Sequence, residues 1–205
     1  MFYVGVYRDQ HLAQTCIANL QRCYRGSILS ISDGVGVGDY EDFCRRNGVA
    51  YQEGQRLKLS QFSGRWTERF FNLFLETDDE WLVKVDPDTH VNQAATLPNA
   101  PIFCAYRYTH TGERILSGPA IGFSRETVER IIASGLLRDV KYTASKYAYH
   151  RFLPPLLKPW ETRSEEAISL QDEITTDVAA RLGIEPCEWS DVSFTDETAP
   201  FYHTR

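Results

Sequence analysis

The chain has 205 residues, 42% of them hydrophobic and 13% aromatic, with a formal net charge of −6. That is enough apolar material for one α/β domain with a real core, and the acidic balance argues against nucleic-acid binding, which relies on clustered Lys and Arg. No stretch is long and apolar enough to span a bilayer, and the opening Met1-Phe-Tyr-Val-Gly-Val-Tyr-Arg-Asp9 lacks a basic region leading into an apolar run, so a single cytoplasmic domain without an integral membrane segment is expected.

Phe2 to Tyr7 is a short apolar run, and Leu12, Cys16, Ile17, Leu20 and Tyr24 then recur at helical spacing, which predicts a strand followed by a helix. Ser27 to Ser32 reads as a second strand closed by Asp33-Gly34, Asp39 opens a short acidic helix ending near Gly48, and Val49 to Leu57 holds a third strand. Trp66, Phe70, Leu73 and Phe74 mark an amphipathic helix from Gly64 to Glu76, and Trp81 to Val85 is a fourth strand. Alternation of this kind implies a mostly parallel sheet flanked by helices, with ligands held beyond the carboxyl ends of the strands, where Asp9, Asp33 and Asp86 fall. Past the Pro98 to Pro101 break, Ile102 to Thr109 is another strand and His110 to Glu113 a hairpin turn. A Gly-rich strand from Ile115 runs into Ser124 as helix cap, with Gly135 as the stop. Leu136 to Glu166 lacks clean periodicity, Glu173 to Leu182 returns to helical spacing, and the tail to Arg205 holds only short apolar pieces. Five cysteines form no Cys-x-x-Cys pair and are expected to be reduced and mostly packed.

The most informative stretch is Trp81-Leu-Val-Lys-Val-Asp-Pro-Asp-Thr-His-Val91. Two carboxylates one residue apart at a strand end, Asp86 and Asp88, project to the same side and need a nearby cation, because like charges at close range disfavour joint ionisation. Mg²⁺ or Mn²⁺ bridging a phosphorylated ligand is the natural partner; a solvated turn in which Asp and Pro serve turn chemistry explains the same spacing.

Asp86-Pro-Asp88, then Ser117-Gly-Pro-Ala-Ile-Gly-Phe-Ser-Arg-Glu126, then Asp172-Glu-Ile-Thr-Thr-Asp-Val-Ala-Ala-Arg-Leu-Gly183, in this order after a β/α series, resembles the GT-A glycosyltransferases, most closely the fringe and β-1,3-galactosyltransferase type. The resemblance implies a GT-A fold with a nucleotide-binding half over residues 1–91 and an acceptor and catalytic half over 92–205. It implies a nucleotide-sugar donor, a UDP-sugar first, whose diphosphate is neutralised by Mn²⁺ or Mg²⁺ on Asp86 and Asp88, with transfer to a hydroxyl of a carbohydrate, lipid-linked or protein acceptor. Asp88 is then the direct metal ligand and Asp86 a ribose or water-mediated contact, roles that can be exchanged. His203 corresponds to the family's histidine ligand near the C-terminus, although a residue so placed is often solvated. His90 lies about 13 Å from Asp86 along an extended strand at about 3.3 Å per residue, too far to share a metal unless Pro87 turns the chain.

By the same resemblance Tyr7, Arg8 and Asp33 fall where base and ribose bind, and Gly118 lets the donor sugar approach the backbone, with Pro119 departing from the family's usual glycine. Arg65 and Arg69, one helical turn apart, are candidates for the diphosphate. The acidic pair Asp172 and Glu173 supplies the base that an inverting transfer needs, Glu173 in the usual position and Asp172 if the match shifts by one; acidic residues at a helix N-terminus also serve its dipole alone. Tyr106, Arg107 and Tyr108 offer a sugar-stacking surface. Three other readings compete. A haloacid-dehalogenase-like phosphatase would use Asp86 as nucleophile and Asp88 as acid/base, against which three β/α elements precede the motif. A nucleotidyltransferase would bind its nucleotide on a related sheet. A GT-A-like domain that binds nucleotide or glycan without turnover is the non-enzymatic option.

Overall fold

Alternation decides the first strand: in β1 (Phe2–Val6), Phe2, Val4 and Val6 enter one buried cluster and Tyr3 the other. A computed structural model describes residues 1–6, 10–34, 38–54, 59–108, 114–139 and 171–203, with the backbone alone for residues 33, 59–63, 107, 108, 171 and 173. α1 (Gln10–Cys23) buries Ala13, Cys16, Ile17 and Leu20, and leads to β2 (Ile28–Asp33), α2 (Gly38–Arg46), β3 (Ala50–Gly54), α3 (Leu59–Leu75) and β4 (Trp81–Val85). After β5 (Thr89–Val91) come β6 (Ile102–Tyr108), β7 (Arg114–Ser124) and α4 (Arg125–Ser134). α5 (Gln171–Arg181), β8 (Cys187–Glu188), β9 (Val192–Ser193) and β10 (Phe201–His203) complete the order.

Seven strands form one mostly parallel sheet in the order β3-β2-β1-β4-β7-β6-β8, in which β7 runs antiparallel to both β4 and β6. The chain steps outward from β1 to β2 to β3, then returns to lay β4 on the other side of β1. This reversal makes the carboxyl ends of β1 and β4 the switch point of the sheet, the position at which open α/β sheets receive ligands. Helices cover both faces. α1 and α2 pack over Val4, Val6, Val83 and Val85, while α3, α4 and α5 pack over Tyr3, Leu29, Ile31 and Leu82. Both clusters draw on the two halves expected from the sequence, since Phe201 joins Phe2 in one and Ile174 joins Tyr3 in the other.

Three departures from the expected elements have physical causes. α3 begins at Leu59, before Gly64, which sits buried inside the helix; an interior glycine costs about 1 kcal/mol relative to Ala, and the packed face from Trp66 onward carries the helix through it. The tail contributes β8, β9 and β10, each too short to show a period of two. β5 follows β4 after one turn and joins β10 and β9 in a second, three-stranded sheet. The cap and stop around α4 fall where the sequence puts them: the Ser124 side chain accepts from the Thr127 backbone N–H and Gly135 closes the helix at φ 67°. All five cysteines are free, with Cys16, Cys44 and Cys104 buried. Among the described residues no helix is long and apolar enough to cross a membrane.

The centre of the α3 face is an aromatic stack: Phe70 is fully buried, lies 4.5 Å from Tyr3 ring to ring, and meets Trp66 and Phe71 edge-on. Phe70→Ala is expected to lower the unfolding free energy by about 3–5 kcal/mol in urea denaturation. A loss under 1 kcal/mol would mean that this stack does not carry the core.

Candidate metal centre

β4 ends where its apolar run meets Asp86-Pro87-Asp88, and the turn there is held from outside by β7. Cys104 of β6 pairs with Ile121 of β7 but the next residue, Ala105, pairs with Ser117, so Gly118, Pro119 and Ala120 bulge from the ladder on that side. The Pro119 carbonyl in this bulge accepts the Asp86 backbone N–H at 2.9 Å and the Thr89 hydroxyl at 3.1 Å. The Thr89 N–H closes the turn onto the Asp86 carbonyl at 3.0 Å. Gly118 has φ 131°, and a Cβ there would lie 3.1 Å from Val192 Cγ1 and 3.3 Å from the Ala105 Cβ. The need for glycine at this position thus comes from backbone conformation and from packing against β9 and β6, a demand independent of any ligand.

The turn delivers the chain into β5, whose Thr89 pairs with His203 of β10 and whose His90 pairs with Tyr202. Pairing side by side brings His203 Nε2 to 3.3 Å from Asp88 Oδ2, with the imidazole 24% exposed. Asp86, Asp88 and His203 each present one ligand atom, and these atoms lie within 4.8 Å of one another. That separation is close to the span that a single ion, bonding at about 2.0–2.2 Å, imposes on its donors. Two carboxylate oxygens with one imidazole nitrogen suit a borderline divalent ion such as Mn²⁺. His90 stands outside this group: it is exposed and stacks on Tyr202 at 6.3 Å, although Pro87 does turn the chain.

A lysine that sequence reading passed over lies beneath the turn. Lys84, on the same face of β4 as Leu82 and Asp86, has a side chain only 7% exposed and contacts Asp86 Oδ1 through its ammonium. Burial works against its charge, but Asp86 above all, then Asp172 and Asp88, outweigh it and raise its pKa above the ordinary lysine value, so Lys84 is an ammonium at neutral pH. The signal was in plain view as the one charge within the apolar run Trp81-Leu-Val-Lys-Val85.

Asp172 is drawn in from α5. Ser117 Oγ, at the foot of the bulge, donates to Asp172 Oδ2, while the Thr176 hydroxyl donates to the Asp172 carbonyl at 2.7 Å and accepts from the Leu116 N–H at 2.9 Å. The first turn of α5 is thereby fastened to β7 beside Lys84. Glu173 follows in the same turn, with its side chain outside the described residues, as are Tyr7 and Arg8 entirely. Asp33 ends β2, and its side chain is likewise outside them. Arg65 is exposed on α3. Arg69 packs its guanidinium over Gly54, the residue that ends β3 in register with Asp33, so of the two arginines it reaches the carboxyl edge of the sheet. Tyr106 is committed to protein partners, donating to the Pro186 carbonyl at 3.0 Å beneath the Arg114 guanidinium at 4.4 Å.

No protein-family model matches the chain, and no curated protein matches it in sequence.

Gly118→Ala is expected to cost about 1–3 kcal/mol of stability in chemical denaturation, because alanine is strained at this φ and its methyl group presses on Val192 and Ala105. An unchanged denaturation midpoint would mean that the bulge relaxes freely and does not fix the turn.

Proposed function

We propose that this chain is a metal-dependent glycosyltransferase of the GT-A type, moving a sugar from a nucleotide-diphosphate donor, a UDP-sugar first, to an acceptor hydroxyl with inversion. The observation that carries this reading is the convergence of Asp86, Asp88 and His203 beyond the end of β4, next to the point where the sheet reverses its strand order. The family resemblance supplied that same trio from two separate places in the sequence, the Asp86-Pro87-Asp88 motif and His203. A divalent ion held by these side chains supplies Lewis-acid stabilisation to the charge that a leaving nucleoside diphosphate gathers.

The chain's own residues then divide the work. Asp86 and Asp88 anchor the diphosphate side of the donor, and His203 closes the ligand set from β10. Asp172 is already engaged by Ser117 and by the field of Lys84, which suits it to positioning. Glu173, one residue on, is the general base that takes the proton from the acceptor hydroxyl as its oxygen attacks the anomeric carbon. Asp33 and Arg69 stand at the same carboxyl edge, where a base, ribose or phosphate would lie. The phosphatase alternative gives His203 no task, and that weighs against it.

The first experiment is thermal stabilisation of the purified chain by UDP, GDP and CMP, each with and without Mn²⁺. UDP with Mn²⁺ is expected to stabilise, and Asp88→Asn to remove the effect while leaving the fold intact. Asp86→Asn is expected to remove it too, but at a folding cost of about 1–3 kcal/mol, since it leaves the buried Lys84 ammonium with a weaker partner. On sequence alone both changes relieve a repulsive pair and leave folding untouched; Lys84 makes the two aspartates unequal. Phosphate release from a simple ester without nucleotide binding would redirect the assignment to a phosphatase. Glu173→Gln is expected to lower turnover by two orders of magnitude or more with UDP binding nearly unchanged. Equal loss of both would reduce Glu173 to a structural role.

A further inference from the structure

We propose that Lys84 is a positioning residue for the metal centre: a buried cation that holds Asp86 in place and offsets one of the two carboxylate charges that an incoming ion meets. The inference rests on the metal reading above, though not on sugar transfer. Among the described side chains the candidate site gathers two carboxylates, Asp86 and Asp88, and the buried Lys84 ammonium contacts the first of them. A ligating histidine is neutral, so His203 adds no charge. The incoming cation therefore meets one carboxylate charge fewer than Asp86 and Asp88 carry by themselves.

The geometry fits a lasting role. Lys84 reaches one oxygen of Asp86, Oδ1, and a carboxylate has two oxygens with about four lone-pair directions, so the residue stays able to ligate while the ammonium is in place. With the side chain only 7% exposed, the ammonium sits against Asp86 inside the fold rather than at its surface. Before any ion binds, it also offsets the repulsion among carboxylates gathered at the turn, so that Asp86 waits in position.

Binding of Mn²⁺ and of Tb³⁺ is to be measured by electron paramagnetic resonance and by lanthanide luminescence, with no donor or acceptor present. The proteins are the unaltered chain, Lys84→Met and Lys84→Arg, with melting temperatures taken in chelator and in excess Mn²⁺. With one more unbalanced negative charge, Lys84→Met is expected to shift the Tb³⁺ over Mn²⁺ affinity ratio about tenfold toward the trivalent ion, from one unit charge acting across a few ångströms. It is also expected to melt lower in chelator and to gain more from Mn²⁺ than the unaltered chain does. Lys84→Arg, which keeps the charge, should hold the original ratio. Should Lys84→Met fail to fold, Lys84→Gln, which keeps a donor for Asp86 without the charge, reads the same ratio. A folded Lys84→Met or Lys84→Gln with the original ratio and the original Mn²⁺ stabilisation would overturn the proposal and leave Lys84 a structural residue. Absence of Mn²⁺ and Tb³⁺ binding by the unaltered chain would overturn the metal reading itself.

Discussion

One carbonyl organises the centre of this molecule. Pro119 has no N–H to give a sheet, and in the bulge of β7 its oxygen turns instead to the end of β4, where it takes the Asp86 N–H and the Thr89 hydroxyl together. Those two bonds set where the Asp86-Pro87-Asp88 turn sits and where β5 begins. The start of β5 sets the register of β10, and that register decides that His203 lies beside Asp88. Ser117, at the foot of the same bulge, holds Asp172. The candidate centre is therefore assembled around an irregularity in one strand, in keeping with the tendency of bulges to re-aim side chains next to functional sites.

Charge is the second constraint. The protein is acidic overall, and it gathers several carboxylates at one end of its sheet, which solvent alone would not stabilise at close range. A buried lysine on β4 answers part of that repulsion from within. The remainder is open to a cation from outside, and the sugar-transfer reading draws its chemistry from this imbalance.

Much of this arrangement was legible in the sequence, for reasons that can be named. Trp81 to Val85 was bounded by turn residues on both sides, so strand and turn could be placed together. Ser124 and Gly135 bracket α4 with the two strongest cap signals a helix has. Asp86 and Asp88 stood out by their spacing at a strand end, and the family resemblance then made them candidates for a metal. What stayed hidden depends on contacts between segments remote in sequence. No local pattern says that β7 slips against β6 between Cys104 and Ala105, or that a two-residue strand at Val192 will press on Gly118. Lys84 was visible as a letter but not as a buried ion pair, because its burial comes from helices packed over β4, which no local pattern announces. His203 was named by resemblance; only strand pairing explains how a residue so late in the chain is held in place.

The short strand β10 has a consequence for how the protein matures. During synthesis Asp86 and Asp88 emerge long before His203, and closing so large a loop is among the slower events in folding. Until β10 docks between β5 and β9, the nascent chain offers a passing metal ion two carboxylates on a flexible turn, a weak and unselective bait. The candidate trio is complete only with finished tertiary structure, so on the metal reading proposed above selectivity for the ion would be acquired last.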